Sequence, residues 1–165
     1  MLPLPGEQKA MVADFAWSAL ASVVMVTTTV LVHYEALRLI SDQLIPRLRL
    51  HPRHEMVYVI LAVFLAHTVE VWLFAVCFQL MVETGVGRFH GSLDGSFFDY
   101  LYFSVVSYTS LGLGDVYPSG GLRLVTGVEA LCGLLMIGWS ASFTYLCMER
   151  MWKAHTERKD LHRHR

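Results

Sequence analysis

Three stretches of this chain are long and apolar enough to cross a lipid bilayer. They are 12–33 (VADFAWSALASVVMVTTTVLVH), 56–82 (MVYVILAVFLAHTVEVWLFAVCFQLMV) and 122–148 (LRLVTGVEALCGLLMIGWSASFTYLCM). A spanning helix needs about 20 predominantly apolar residues. Of the 165 residues, 55% are hydrophobic and 16% charged, against about 25% charged in a soluble domain. These figures argue against a large soluble domain, a disordered chain and a nucleic-acid binder. The first run, Met11 to Val32, exceeds the roughly 7–15 residues of a cleaved signal's apolar region. It reads as a retained membrane helix.

The net charge of -1 hides a strong pattern. Seven charged residues lie in 34–55 and nine in 149–165, while the 93 residues from 56 to 148 hold eight. Lys and Arg in short loops mark the cytoplasmic side. Arg38, Arg47, Arg49 and Arg53 fall in one island, and Arg150, Lys153, Arg158, Lys159, Arg163 and Arg165 in the other. Only Lys9, Arg88 and Arg123 fall on the opposite side. The expected topology is N-terminus outside and C-terminus cytoplasmic, multi-pass, in the cell (plasma or inner) membrane. The expected units are 1–33 (N-terminal tail and first helix), 34–55 (cytoplasmic basic linker), 56–148 (central module) and 149–165 (cytoplasmic basic tail). Pro46 and Pro52 are expected to interrupt any helix in the linker. Its 37–50 part reads either as an interfacial segment or as ordinary linker. His51, His54, His155, His162 and His164 stand among these basic residues. Cys77, Cys132 and Cys147 read as buried small hydrophobes rather than as a disulfide framework.

A fourth apolar stretch, 96–109 (SFFDYLYFSVVSYT), is too short to span. It leads into Ser110-Leu111-Gly112-Leu113-Gly114-Asp115. Non-helical backbone at membrane depth is tolerated only when buried in protein or lining a water-filled cavity. A re-entrant helix followed by an extended loop fits that rule. An ion leaving water needs its hydration shell replaced by oxygens, which a ring of backbone carbonyls supplies without net charge. Aiming successive carbonyls at one axis demands unusual dihedrals, and alternate glycines permit them. The Ser110 hydroxyl can add one more oxygen. Asp115 attracts cations at the mouth. A tight turn without function is the bland alternative. A phosphate loop would need a following lysine or a dinucleotide-binding context, and neither is present.

Ser110 to Gly114 resembles the filter of the potassium-channel pore module, TVGYG. Asp115-Val116-Tyr117-Pro118 resembles the family's outer-mouth D-x-Y-P. The order of outer helix, pore helix (96–109), filter (110–114) and inner helix (122–148) matches too. The resemblance covers about 56–148. It is to a small prokaryotic two-helix-pore ion channel with an added N-terminal helix. It implies an all-α membrane protein with three transmembrane helices, a re-entrant pore helix and a filter loop, assembled fourfold. It implies potassium ions at the carbonyls of Ser110, Leu111, Gly112, Leu113 and Gly114, flanked by Thr109 and Asp115. One strand cannot enclose an ion, so four chains surround the axis as a homotetramer. Ser110 replaces the usual threonine, and Leu113 replaces a tyrosine whose hydroxyl braces the filter. The implied function is a passive cation channel, most readily for potassium. The alternatives are a weakly selective monovalent cation channel, or a non-conducting scaffold or regulatory subunit. No enzyme, cofactor, nucleic-acid partner or small-molecule ligand is implied, and the bilayer is the expected surrounding.

Gly133 matches the family's inner-helix bend within one residue, and Gly138 offers a second soft point. Each is either a gating hinge or a site of close helix packing. Leu134, Ile137 and Ala141 align with the cavity lining. Ser140, Ser142 and Thr144 suit either a hydrated vestibule or helix–helix hydrogen bonds. His67 and Glu70 share one face of their helix. They read as a proton sensor or as braces to the pore helix or the first helix. Glu129 aligns behind the filter. A metal site at His67 and Glu70 lacks further ligands.

Overall fold

In the computed structural model, residues 5–47 and 52–163 are described. Arg49, His51, His164 and Arg165, and the last part of the 37–50 segment, fall outside them. The chain forms α1 (Pro5–Leu39), a π-helical turn (Ile40–Leu44), α2 (Ile45–Arg47) and α3 (Pro52–Glu83). β1 (Phe89–Gly91), α4 (Phe97–Tyr108), β2 (Val116–Pro118) and α5 (Leu122–Arg163) follow. Three helical stretches, Met11–Arg47, His54–Glu83 and Leu122–Lys153, are long and apolar enough to cross a membrane.

Over the expected linker at 34–55 the structure stays helical through Arg47 and resumes helix at Pro52. The charges there suit a helix. Arg38 pairs with Glu35 at 3.3 Å and with Asp42 at 3.7 Å, at three- and four-residue spacings. Leu37 and Ile40 are buried against Val59 and Val63. Pro46 does not break the helix because the widened turn precedes it. The Ile45 N–H bonds the Ile40 carbonyl five residues back, a π-type step. Pro52 heads α3, where its missing N–H is no loss. α5 likewise runs past 148 into the basic tail.

α1 packs on α3 and α5. Its inner face is polar: Ser18, Ser22, Thr29 and His33 are all buried. Their spacing puts them on one helical stripe. Met11, Phe15, Leu20, Val24 and Leu31 stay exposed on the other side. That inversion suits a helix whose solvent is lipid, where small and polar groups mediate helix contact. At one end of the stripe, a β-carbon on Gly121 would collide with Ser18 Oγ and stand 2.7 Å from Val86 Cγ1. The core combines Phe74, Phe78 and Met81 of α3, Phe103 and Tyr108 of α4, and Leu122, Val125 and Met136 of α5.

No sequence pattern announces β1 and β2. They pair antiparallel, with Phe89 opposite Pro118, His90 opposite Tyr117 and Gly91 opposite Val116. Gly91 (φ 122°) lies so close that a β-carbon there would strike the Asp115 carbonyl. The ladder joins the chain before α4 to the chain after residue 115.

The substitution Gly121→Val should destabilise the fold by about 1–3 kcal/mol through overpacking. Thermal melting of the detergent-solubilised protein reads the loss. Adding Ser18→Gly should recover part of it, and no recovery would show that α1 does not dock at this point.

Candidate ion-conduction site

α4 has 12 residues, about 18 Å at 1.5 Å each, too short for a hydrocarbon core of roughly 30 Å. Its start is fixed by Asp99. That carboxylate accepts the N–H groups of Asp94 (3.0 Å), Gly95 (2.7 Å) and Ser96 (3.1 Å). Ser96 is the N-cap of a capping box with Asp99. Phe103, Ser104, Val106, Ser107 and Tyr108 are its buried residues. Because β1 and β2 pair at the two ends, α4 and the loop after it form one re-entrant hairpin.

The loop has the dihedrals that a row of carbonyls requires. Ser110 (φ 57°), Gly112 (φ 57°) and Gly114 (φ 81°) are left-handed, at alternate positions. A side chain costs roughly 1–2 kcal/mol there, so glycine suits 112 and 114 while Ser110 carries strain. Three of the loop's N–H groups turn back to α4. Ser110 donates to the Ser107 carbonyl at 2.9 Å, and Leu111 and Gly112 donate to that of Val106 at 2.9 and 3.4 Å. Thr109 through Asp115 are exposed in the single chain.

Leu113 has no hydroxyl to brace the loop. A brace exists elsewhere: the Tyr102 hydroxyl of α4 donates to Asp115 Oδ2 at 2.7 Å. The Asp115 carboxylate holds the Tyr102 phenol above its ordinary range, so Tyr102 remains a donor. The Ser92 N–H binds the Asp115 carbonyl at 3.3 Å. Sequence reasoning missed Tyr102. Its only signal was a hydroxyl on the helix beside a loop whose Leu113 lacks one.

Behind the loop lies a polar layer. Glu129 of α5 is fully buried, with Oε1 2.6 Å from Ser104 Oγ. Ser104 in turn lies 2.9 Å from the Val71 carbonyl. Glu70 is also fully buried. Its Oε1 lies 2.8 Å from His33 Nδ1, its Oε2 lies 3.2 Å from His67 Nδ1, and Tyr108 donates its hydroxyl to it. His67 Nδ1 also lies 2.9 Å from the Tyr108 hydroxyl. His67 Nε2 and His33 Nε2 both meet Ser140 Oγ, at 3.0 and 3.2 Å. The cluster joins α1, α3, α4 and α5. His33, Tyr108 and Ser104 were not singled out in sequence. His33 looked like the end of an apolar run, and no local signal places it opposite Glu70.

On α5, Gly133 is buried, and a β-carbon there would strike the Tyr108 carbonyl. α5 passes through Gly133 and Gly138 as one helix. Gly138 has open space for a β-carbon. Leu134, Ile137 and Ala141 are exposed in the single chain. Ser140 is buried in the cluster, and Ser142 bonds back to the Gly138 carbonyl at 3.1 Å.

Residues 56–150 match the ion channel family, whose members have two-helix, potassium-channel-like pores. The chain belongs to that family and is a multi-pass membrane protein. The match spans α3, the re-entrant hairpin and most of α5, and leaves α1 outside it. No curated protein and no solved structure matches the chain.

The contact at Gly133 separates packing from hinging. Gly133→Ala should lower the melting temperature of the purified protein and abolish ion flux, because a backbone carbonyl cannot move aside. Gly138→Ala should leave the melting temperature unchanged. If Gly133→Ala altered gating alone, at wild-type stability, the close packing would not be what the glycine is for.

Proposed function

We propose that four copies of this chain form a passive, potassium-selective channel. The filter is the backbone of Ser110, Leu111, Gly112, Leu113 and Gly114, and Thr109 and Asp115 flank it. The observation that carries this reading is the alternation of left-handed residues at 110, 112 and 114, directly after a short re-entrant helix. With the N–H groups of Ser110, Leu111 and Gly112 turned back to α4, the loop's carbonyl oxygens can replace an ion's hydration shell. The C-terminal end of α4, with its negative dipole end, lies at the foot of the loop and favours cations.

What a single chain leaves uncovered supports assembly of several chains around the loop. Leu111 and Leu113 are 62% and 59% exposed, and an apolar side chain at a filter needs protein around it. Neighbouring chains supply that cover and close the ring of carbonyls. α5 then lines the cavity through Leu134, Ile137 and Ala141, with Gly133 packed on the pore helix. The charge islands put the filter mouth outside and the 34–55 segment and tail in the cytoplasm. Transport is driven by the electrochemical gradient alone.

The test is potassium and sodium flux through purified protein in liposomes, for wild type and Gly112→Ala. Potassium flux should exceed sodium flux in wild type and be lost in the variant, because φ near 57° strains any side chain by roughly 1 kcal/mol or more in each chain. Equal flux would identify a weakly selective cation pore. Absence of flux from a tetramer would identify a scaffold. Unchanged flux in the variant would remove the filter assignment.

A further inference from the structure

In sequence, His67 and Glu70 formed a pair without further ligands. The fold supplies a third group from α1. Among the described residues, the ligand atoms of His33, His67 and Glu70 lie within 4.8 Å of one another.

Both rings are oriented the same way. Each turns Nε2 to the single Ser140 Oγ and Nδ1 to the Glu70 carboxylate. A hydroxyl oxygen has two lone pairs, so it can accept an N–H from both rings. In the tautomer with both Nε2 atoms protonated, each Nδ1 turns a lone pair toward the carboxylate, and a cation can take the place that a proton on Nδ1 otherwise fills.

We propose that His33 Nδ1, His67 Nδ1 and the Glu70 carboxylate bind a zinc-class divalent cation. Two imidazoles and a carboxylate are a donor set that zinc takes at about 2.0–2.2 Å. Ligands at that range around a tetrahedral ion stand roughly 3.3 Å apart. His33 Nδ1 stands 2.8 Å from Glu70 Oε1 and His67 Nδ1 3.2 Å from Oε2, so each ring faces its own carboxylate oxygen and small side-chain shifts bring the three ligands to that spacing. Metal-bound histidines depend on a partner for the other ring nitrogen and on hydrogen-bonded carboxylates. Ser140 and Tyr108 fill those roles. The fourth position is left open on the side of His67, whose side chain is 18% exposed, next to a cavity of about 360 Å³ bordered by Phe64, Thr68, Trp72 and Ile137. An ion here clamps α1 to α3. Through Tyr108 it also steadies the residue that ends α4, just before the loop. The site stands independently of the conduction reading.

The experiment titrates chelator-treated, full-length protein in detergent with Co²⁺, then Zn²⁺. Co²⁺ should give the visible bands of a four-coordinate ion and saturate near about one ion per chain. Zn²⁺ should displace it. His33→Ala and Glu70→Gln should abolish the bands, and Ser140→Ala should weaken zinc affinity roughly 10–100-fold. The triple variant His155→Ala/His162→Ala/His164→Ala controls for the histidine-rich tail and should bind as wild type does. Bands that vanish with the tail histidines, or persist in His33→Ala, overturn the site. Should His33→Ala fail to fold, X-ray absorption on zinc-loaded wild type decides. Two imidazoles with one carboxylate supports the site, and any other set, or no bound zinc, overturns it.

Discussion

The bilayer core offers no water to a backbone amide, so every N–H and C=O at that depth needs a partner within the protein. The three long helices meet that demand internally. The hairpin between α3 and α5 cannot, and its details follow from the shortfall. Asp99 gathers three amides before α4 begins. Ser110, Leu111 and Gly112 return theirs to carbonyls of the last turns of α4. The β1–β2 ladder pairs the chain on either side. The first half of the loop is thereby held against α4 through its amides.

The same constraint governs side chains. A buried carboxylate without partners costs several kcal/mol, and this chain buries two beside the hairpin. Glu129 meets Ser104, and Glu70 meets two histidines and Tyr108. Both contacts land on α4 or its neighbours, so the polar groups hold the short helix where apolar packing alone would let it slide. Lipid exerts no hydrophobic push between helices. Polar and small-residue contacts, such as Ser18 with Gly121 and Gly133 with Tyr108, therefore set which faces meet.

What could be read from sequence was what is local. Apolar run length gave the three long helices. The 96–109 stretch coincides with α4 and its two caps, because the capping box and the glycines that stop it are neighbours in the chain. The alternate spacing of Gly112 and Gly114 announced an unusual backbone. The helical path through 34–47 was harder to read because Pro46 signals a break, whereas the π-helical turn before it carries the helix on. β1 and β2 have three residues each, too few for periodicity to register, and their pairing rests on the approach of Gly91 to Asp115. Tyr102 and His33 were missed for a related reason. Their partners are 13 and 37 residues away, and only the fold brings them together.

His33 also changes the standing of α1. The family match begins at residue 56, so by that boundary α1 is an addition beside the pore module. Yet His33 is fully buried, contacts Glu70 of α3, and shares Ser140 of α5 with His67. Removing one partner of a buried carboxylate typically costs about 3–5 kcal/mol, because the carboxylate is left uncompensated. That is a large share of the 5–15 kcal/mol that holds a typical domain together. A displacement of α5 near Ser140 must therefore break contacts to α1 and α3 together, and through Glu70 it reaches Tyr108 beside the loop. α1 is coupled to the hairpin by that one polar node, whichever stimulus moves α5.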